Sequence, residues 1–338
     1  MQRILTVIAI TFLLVVAACG GEEDGASPTA TGAASAPPSD TASATPQPTI
    51  EATIPVGGEP IGISAGEGAI WVVNSEFQSG GEPSVSRIDP ATSKVTDTIP
   101  VGALPLEVLA AGGSVWVSNS EDGTVSRIDP SSAKVTATID VCRAPEGLAL
   151  AAGSVWVVCE ESDAVGRIDP TTDTMVDTVK VEDEPRFATA AFGSVWVSNY
   201  LGSSVSRIDP ASGKVTATID VDLGGQVMAE LDGSLWISSI DYNTLTRINP
   251  KTDKVEKVFN DVGDYPDGLL ASQGALWIAS DLGPELRRFD PATGKVSGTW
   301  IIGEQGTINA NQLLAEADGS FWLPLLESSE VARVAIPD

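Results

Sequence analysis

Residues 115–141 read VWVSNSEDGTVSRIDPSSAKVTATIDV, and residues 195–221 read VWVSNYLGSSVSRIDPASGKVTATIDV. Around this pair, tryptophans recur at 71, 116, 156, 196, 236, 277 and 322, in GAIWVVN, GSVWVSN, GSVWVVC, GSVWVSN, GSLWISS, GALWIAS and GSFWLPL. Their separations of 45, 40, 40, 40, 41 and 45 residues set a period near forty, with strand-like runs inside each unit. Such a period is the pattern of propeller blades, each of which buries its faces only against its neighbours.

The second unit parses into four strands. Residues 105–110 open it, 114–119 follow a Gly112-Gly113 turn, 124–129 follow the acidic turn Glu121-Asp122-Gly123, and 134–141 close it. The second run is apolar on both faces, as a strand between stacked sheets must be. The last alternates Val135, Ala137, Ile139 and Val141 with Thr136, Thr138 and Asp140, the period-two pattern of a half-exposed outer strand. Each Trp fills the gap between adjacent sheets, removing about 150–250 Å² from water. The Arg-Ile-Asp-Pro stretch, at Arg87, Arg127, Arg167 and Arg207 with variants at Arg247 and Arg288, ends the third strand. Its Asp accepts from the backbone two residues on, and its Pro presets φ for a tight turn. Because these arginines recur once per blade, they read as scaffold rather than as a basic patch.

The final unit stops at residues 333–338, RVAIPD, without a fourth strand, while the surplus segment IEATIPV at 50–56 matches VTATIDV at 135–141 almost letter for letter. The expectation is an all-β, seven-bladed β-propeller of four-stranded blades over 49–338. The N-terminal strand completes the last blade and removes an open edge that would invite aggregation.

Through its W-V-x-N and R-I-D-P-x-T-x-K-V units, the body 49–338 resembles the YncE-like and streptogramin (virginiamycin B) lyase-like group of seven-bladed propellers. The resemblance implies the architecture and, for the lyase members, an eliminative C–O ring opening that uses a histidine general base and bound Mg²⁺. This sequence has no histidine, so that catalytic set fails to carry over at the base. Only carboxylates such as Glu107, Glu146 or Asp267 are left to hold a metal.

Ahead of the body, Met1 to Arg3 and the apolar run 4–18 have the charge and length of a signal peptide, too short to span a bilayer as a mature helix. The run ends Val16-Ala17-Ala18-Cys19-Gly20, which resembles the lipobox of bacterial lipoproteins and implies lipidation at Cys19. An ordinary secretory signal with an incidental cysteine is the other reading. Residues 19–48 are dominated by Gly, Ala, Ser, Thr and Pro, the composition of a disordered tether. The expectation is a monomeric lipoprotein, anchored to the cell membrane, with its body outside the cytoplasm.

With 19 Lys and Arg against 46 Asp and Glu, the net charge is −27 at pH 7. Such a surface repels phosphate backbones and anionic lipid heads, which disfavours nucleic acid and leaves Mg²⁺, Ca²⁺ and cationic ligands as candidates. With Cys19 set aside, Cys142 and Cys159 read as a disulfide in an oxidising compartment. A metal site completed by carboxylates is the rival.

Function in a repeat protein belongs where the units disagree, because agreeing positions are committed to the fold. One face of the disc carries short, uniform turns. The opposite face carries the second-to-third-strand loops and the blade-to-blade connections, and both long units place their extra residues there, at 76–83 and 303–310. The residue ten positions before each Trp, at the start of the inner strand, reads Ile61, Leu106, Glu146, Arg186, Gln226, Asp267 and Gln312. The next position adds Glu107 and Phe187, and Tyr200, Tyr242 and Tyr265 lie in loops of the same face. Carboxylates, an amide, a guanidinium and aromatic rims around a channel mouth describe a pocket for a small molecule or a peptide. The plainer alternative is a polar ring around a water-filled channel, with Glu146 and Arg186 paired across adjacent blades.

Two functional classes follow. The first is a non-enzymatic propeller, without a cofactor, that binds a small ligand or an envelope protein through the varied face. The second is a metal-assisted lyase of the virginiamycin B type. A redox propeller finds little support, since there is no Cys-x-x-Cys-His and no histidine ligand, and histidine-based nucleophilic triads are excluded for the same reason.

Overall fold

The computed structural model describes residues 48–77, 79–280, 285–302 and 315–336. The expected signal at 1–18, the lipidation position Cys19, all but the last residue of the expected tether, the insertion 303–310 and Gln312 lie outside the described residues. Seven antiparallel sheets of four strands form the blades, numbered here 1 to 7 from the Trp71 unit. Six are meanders of consecutive strands; blade 2, for example, runs through Pro105–Ala111, Ser114–Asn119, Thr124–Asp129 and Lys134–Asp140. Blade 7 combines Ala315–Ala317, Ser320–Leu325 and Glu330–Ala335 with Thr49–Pro55 on its outer edge. There Thr49 pairs with Ala335 and Pro55 with Glu330. Ile54 is buried in one cluster with Ile63, Trp322 and Val331. The ring therefore closes on the strand that the repeat arithmetic selects.

The repeated residues do structural work. The second strand of every blade is buried along its whole length, and its Trp is at most 1% exposed. In blades 1 to 5 and in blade 7 the arginine of the third strand lies over the Trp ring, 4.8 Å from the centroid for Arg207 and 5.7 Å for Arg247, and in blade 6 Trp300 stacks on Trp277. The Nε–H groups of Arg127, Arg167 and Arg207 donate to Ser114, Ser154 and Ser194. Two of these arginines also cross to the next blade, Arg127 to Asp173 and Arg207 to Asp253, each at 2.7 Å. Asp169 accepts from the backbone N–H of Thr171 at 2.8 Å, tightening the turn after the third strand. The Asn that ends W-V-x-N ties second strand to third, with Asn199 donating to Ser204 and Ser206 at 3.0 Å each.

One irregularity recurs. In blade 3, Pro145 pairs with Cys159 but Leu148 with Val157, so the inner strand carries an extra residue across Glu146 and Gly147. The same shift in register follows Pro60, Pro105, Pro185, Gly225 and Pro266. A bulge of this kind bends its strand and re-aims the side chains it contains. In blades 3 to 6 the bulge carries the polar residues Glu146, Arg186, Gln226 and Asp267, whereas in blades 1 and 2 Ile61 and Leu106 pack with the hydrophobic cluster around Val73 and Val117.

Candidate functional site at the channel mouth

In blades 1 to 6 the position ten residues before the Trp falls in this bulge. From the inner strands Pro145–Ala151 and Pro185–Ala191, the bulges bring Glu146 and Arg186 toward each other across the seam between blades 3 and 4. Arg186 is only 7% exposed. Its Nη2 lies 2.8 Å from Glu184 and 3.8 Å from Glu160, and its guanidinium stacks 4.3 Å from the centre of the Tyr200 ring. The direct ion partners of Arg186 are thus Glu184 and Glu160. Glu146 acts on the guanidinium through space and makes its hydrogen bond to Glu160.

The electrostatics follow from burial and crowding. Burial pushes the Glu146 carboxyl up to about 8; Arg186 pulls against this, while Glu160 and Glu184 add to it. Glu146 therefore holds the shared proton near neutral pH and donates to Glu160, whose pKa burial also raises against the pull of Arg186. On the blade 2 side, Glu107 is buried and its Oε2 accepts the backbone N–H of Leu148 at 3.1 Å. Burial holds the Glu107 carboxyl well above its usual range, that hydrogen bond offsets part of the shift, and nearby Glu146 adds to it. Burial works against the charge on Arg186, yet Glu146, Glu184 and Glu160 more than restore it. Burial, then Asp241 as neighbouring charge and hydrogen-bond acceptor, pushes the Tyr200 phenol up to about 12. The result is a row of acids across blades 2 to 5 that encloses a single cation, with the acids raising one another's proton affinity. Within it, Glu146 Oε2 and Arg186 Nε are buried with no hydrogen-bond partner, a state that protein interiors rarely leave uncompensated.

The other expected residues divide. Gln226 and Asp267 are buried in the bulges of blades 5 and 6. Tyr242 and Tyr265 stand on the rim, 60% and 44% exposed. Phe187 does not join them: it is buried in the hydrophobic cluster that holds Val227, Trp236 and Leu269. The bulge that sends Arg186 to the mouth turns its successor between the sheets. Inside the channel is a cavity of about 340 Å³, lined by Ser64, Glu107, Leu109, Leu270 and Glu316 among others, so Glu107 borders both cavity and acid row. Among the described residues no group of three or more acids or thiols is arranged to hold a metal ion.

Cys142 and Cys159 are joined in a disulfide, with their Cα atoms 5.8 Å apart. Glu160 follows at once, opening the 3-10 turn Glu160–Ser162, and its N–H donates to the Ala144 carbonyl at 3.0 Å. The bridge thus pins the turn that presents Glu160. Glu160, Glu184 and Asp241 were not among the residues the sequence singled out. The signal was available: Glu160, like Tyr200, stands four residues after its Trp, and Glu184, like Tyr265, directly precedes the proline of the inner strand. Both columns vary from unit to unit.

No family model matches the chain, and no curated protein matches it. Among solved structures, a streptogramin B lyase is similar with a TM-score of 0.71 at 15% identity, covering 85% of this chain and 97% of that one. The likeness is one of fold. The hydrazine synthase of Kuenenia stuttgartiensis is similar to the same degree, with a TM-score of 0.70 at 18% identity over 82% of this chain and 96% of that one. Two proteins with such different names on one propeller illustrate why the site, and not the fold, must carry the function.

Proposed function

We propose that this protein is a non-enzymatic binding propeller that takes a cationic ligand, free or borne by an envelope protein, at the channel mouth of blades 2 to 5. The observation that carries this reading is the excess of acid around Arg186: buried Glu107 and half-buried Glu146 and Glu160 all hold their protons more tightly than usual. An incoming cation relieves that excess, and its binding free energy includes the ionisation it permits. The test is a thermal-shift and calorimetric titration with spermidine, arginine amide, Mg²⁺ and Ca²⁺, since a ligand of the folded state alone raises its apparent stability. A cation-induced shift that disappears in Glu146→Gln and Glu160→Gln supports the reading; equal shifts in parent and variants would remove it.

The same proposal places the propeller outside the cytoplasm in the YncE-like and streptogramin lyase-like group, on a disordered tether lipidated at Cys19. Its supports are the lipobox-like residues 16–20, the composition of 19–48 and the pair Cys142 and Cys159. Metabolic labelling with a palmitate analogue, abolished by Cys19→Ala, tests it.

A lyase is the second reading, and one observation favours it. A carboxyl at about 8, as in Glu146, lies in the range where a general acid or base works near neutral pH. Ring opening of a streptogramin B in the presence of Mg²⁺, lost in Glu146→Gln, would establish that activity.

A further inference from the structure

We infer that the partner on this face is a lysine- or arginine-bearing peptide segment of another protein, docked along the rim of blades 4 to 6. The inference rests on the binding reading above and names its partner class.

All three tyrosines of the chain, Tyr200, Tyr242 and Tyr265, lie on this arc. The arc is built from the segments 181–184 (VEDE), 200–203 (YLGS), 221–224 (VDLG), 240–243 (IDYN) and 260–265 (NDVGDY), which together hold seven acids and no lysine or arginine. Backbone hydrogen bonds stitch the segments together, from Tyr200 N–H to the Glu184 carbonyl at 2.8 Å and from Ile240 N–H to that of Gly224 at 3.1 Å. Asn243 continues the seam by accepting from the Tyr265 N–H at 2.8 Å. Leu201, Tyr242 and Tyr265 are among the exposed large apolar side chains, so apolar contact area and negative charge share one surface.

Exposed tyrosines supply contact area at small entropic cost and attract cations over their ring faces. The acids between them attract the same cations. Arg186 over Tyr200, with Glu184 at its side, already shows this combination inside the protein. Charge decides the occupant. A second copy carries the same net −27 and is repelled, and the chain's own residues 20–48 contain no lysine or arginine. A divalent ion needs clustered ligands, and none of the described acids form such a group. Acids dispersed over four of the five segments match cations spaced along an extended peptide.

The full chain is titrated with a fluorescent decapeptide of alternating lysine and glycine, with its glutamate counterpart and with spermidine. Expected is binding of the lysine peptide that falls with added salt, weakens roughly tenfold in Tyr242→Ala and about threefold in Asp264→Asn, while the glutamate peptide stays free. Tyr242 is largely exposed, and an unchanged melting profile verifies that its variant folds. Lysine-peptide affinity that is the same in both variants overturns the inference, as does spermidine binding as tightly as the peptide. Spermidine binding that depends on Glu146 but not on the rim upholds the channel-mouth reading and sinks this one; no binding of either cation sinks both.

Discussion

Glu146 donates a hydrogen bond to Glu160, so two acids of blade 3 hold one proton between them beside the Arg186 guanidinium. The folded state raises Glu146 from 4.5 to about 8, whereas the unfolded chain ionises it near the lower value. Between the two the folded state binds more protons, so this group makes stability fall as pH rises. Glu146→Gln keeps a donor to Glu160 and removes the titration. Urea midpoints across that window should show the variant gaining on the parent as pH increases, with no gain at the acidic end; a constant difference across the series would refute the assignment.

Arg186 is the one cation among these acids, and its side chain is 9% exposed. Arg186→Met leaves Glu184 and Glu160 uncompensated, which should cost about 3 kcal/mol in chemical denaturation. Arg186→Lys restores the charge but loses the planar stack on Tyr200, and should recover only part of that loss. A loss in Arg186→Met within the scatter of surface substitutions would show that the acids reorganise without it.

The cross-blade arginines suggest a stabilising change. Arg127 and Arg207 meet Asp173 and Asp253 on the next blade, but blade 2 offers Ala133 at the corresponding turn position, and Arg87 turns instead to Asp97 of its own blade at 3.4 Å. Ala133 has φ 52°, as does Asp173, and aspartate tolerates that left-handed conformation better than alanine does. Ala133→Asp should therefore raise stability by about 0.5–1 kcal/mol, most of it from the turn because the ion pair is partly screened. Comparison with Ala133→Asn in the same melt separates the two contributions.

The disulfide between Cys142 and Cys159 closes a loop with a sequence separation of 17. Its removal in the double variant Cys142→Ser, Cys159→Ser should cost about 3 kcal/mol. Because the bridge also holds the turn carrying Glu160, the variant should shift the Glu146 titration toward the ordinary carboxylate range. Carbon-13 chemical shifts of the glutamate carboxyls read that shift directly.

The seven tryptophans that recur once per unit, the Arg-Ile-Asp-Pro turns and the copy of the outer strand at 50–56 were enough to specify blade number, strand order and closure. Those features are local: a strand pairs with its sequence neighbour, a turn needs its own Asp and Pro, and a repeated unit can only stack on itself. The tier of polar residues at the channel mouth was also visible, as the columns where the repeats disagree. Which of them meet was not. Arg186 takes Glu184 and Glu160 as ion partners because the inner-strand bulge swings it toward the turn that the disulfide holds, and the same bulge buries Phe187 between sheets. The proton on Glu146 depends on burial and on charges contributed by blades 3 and 4, and such long-range sums arise only once the ring has brought distant segments side by side.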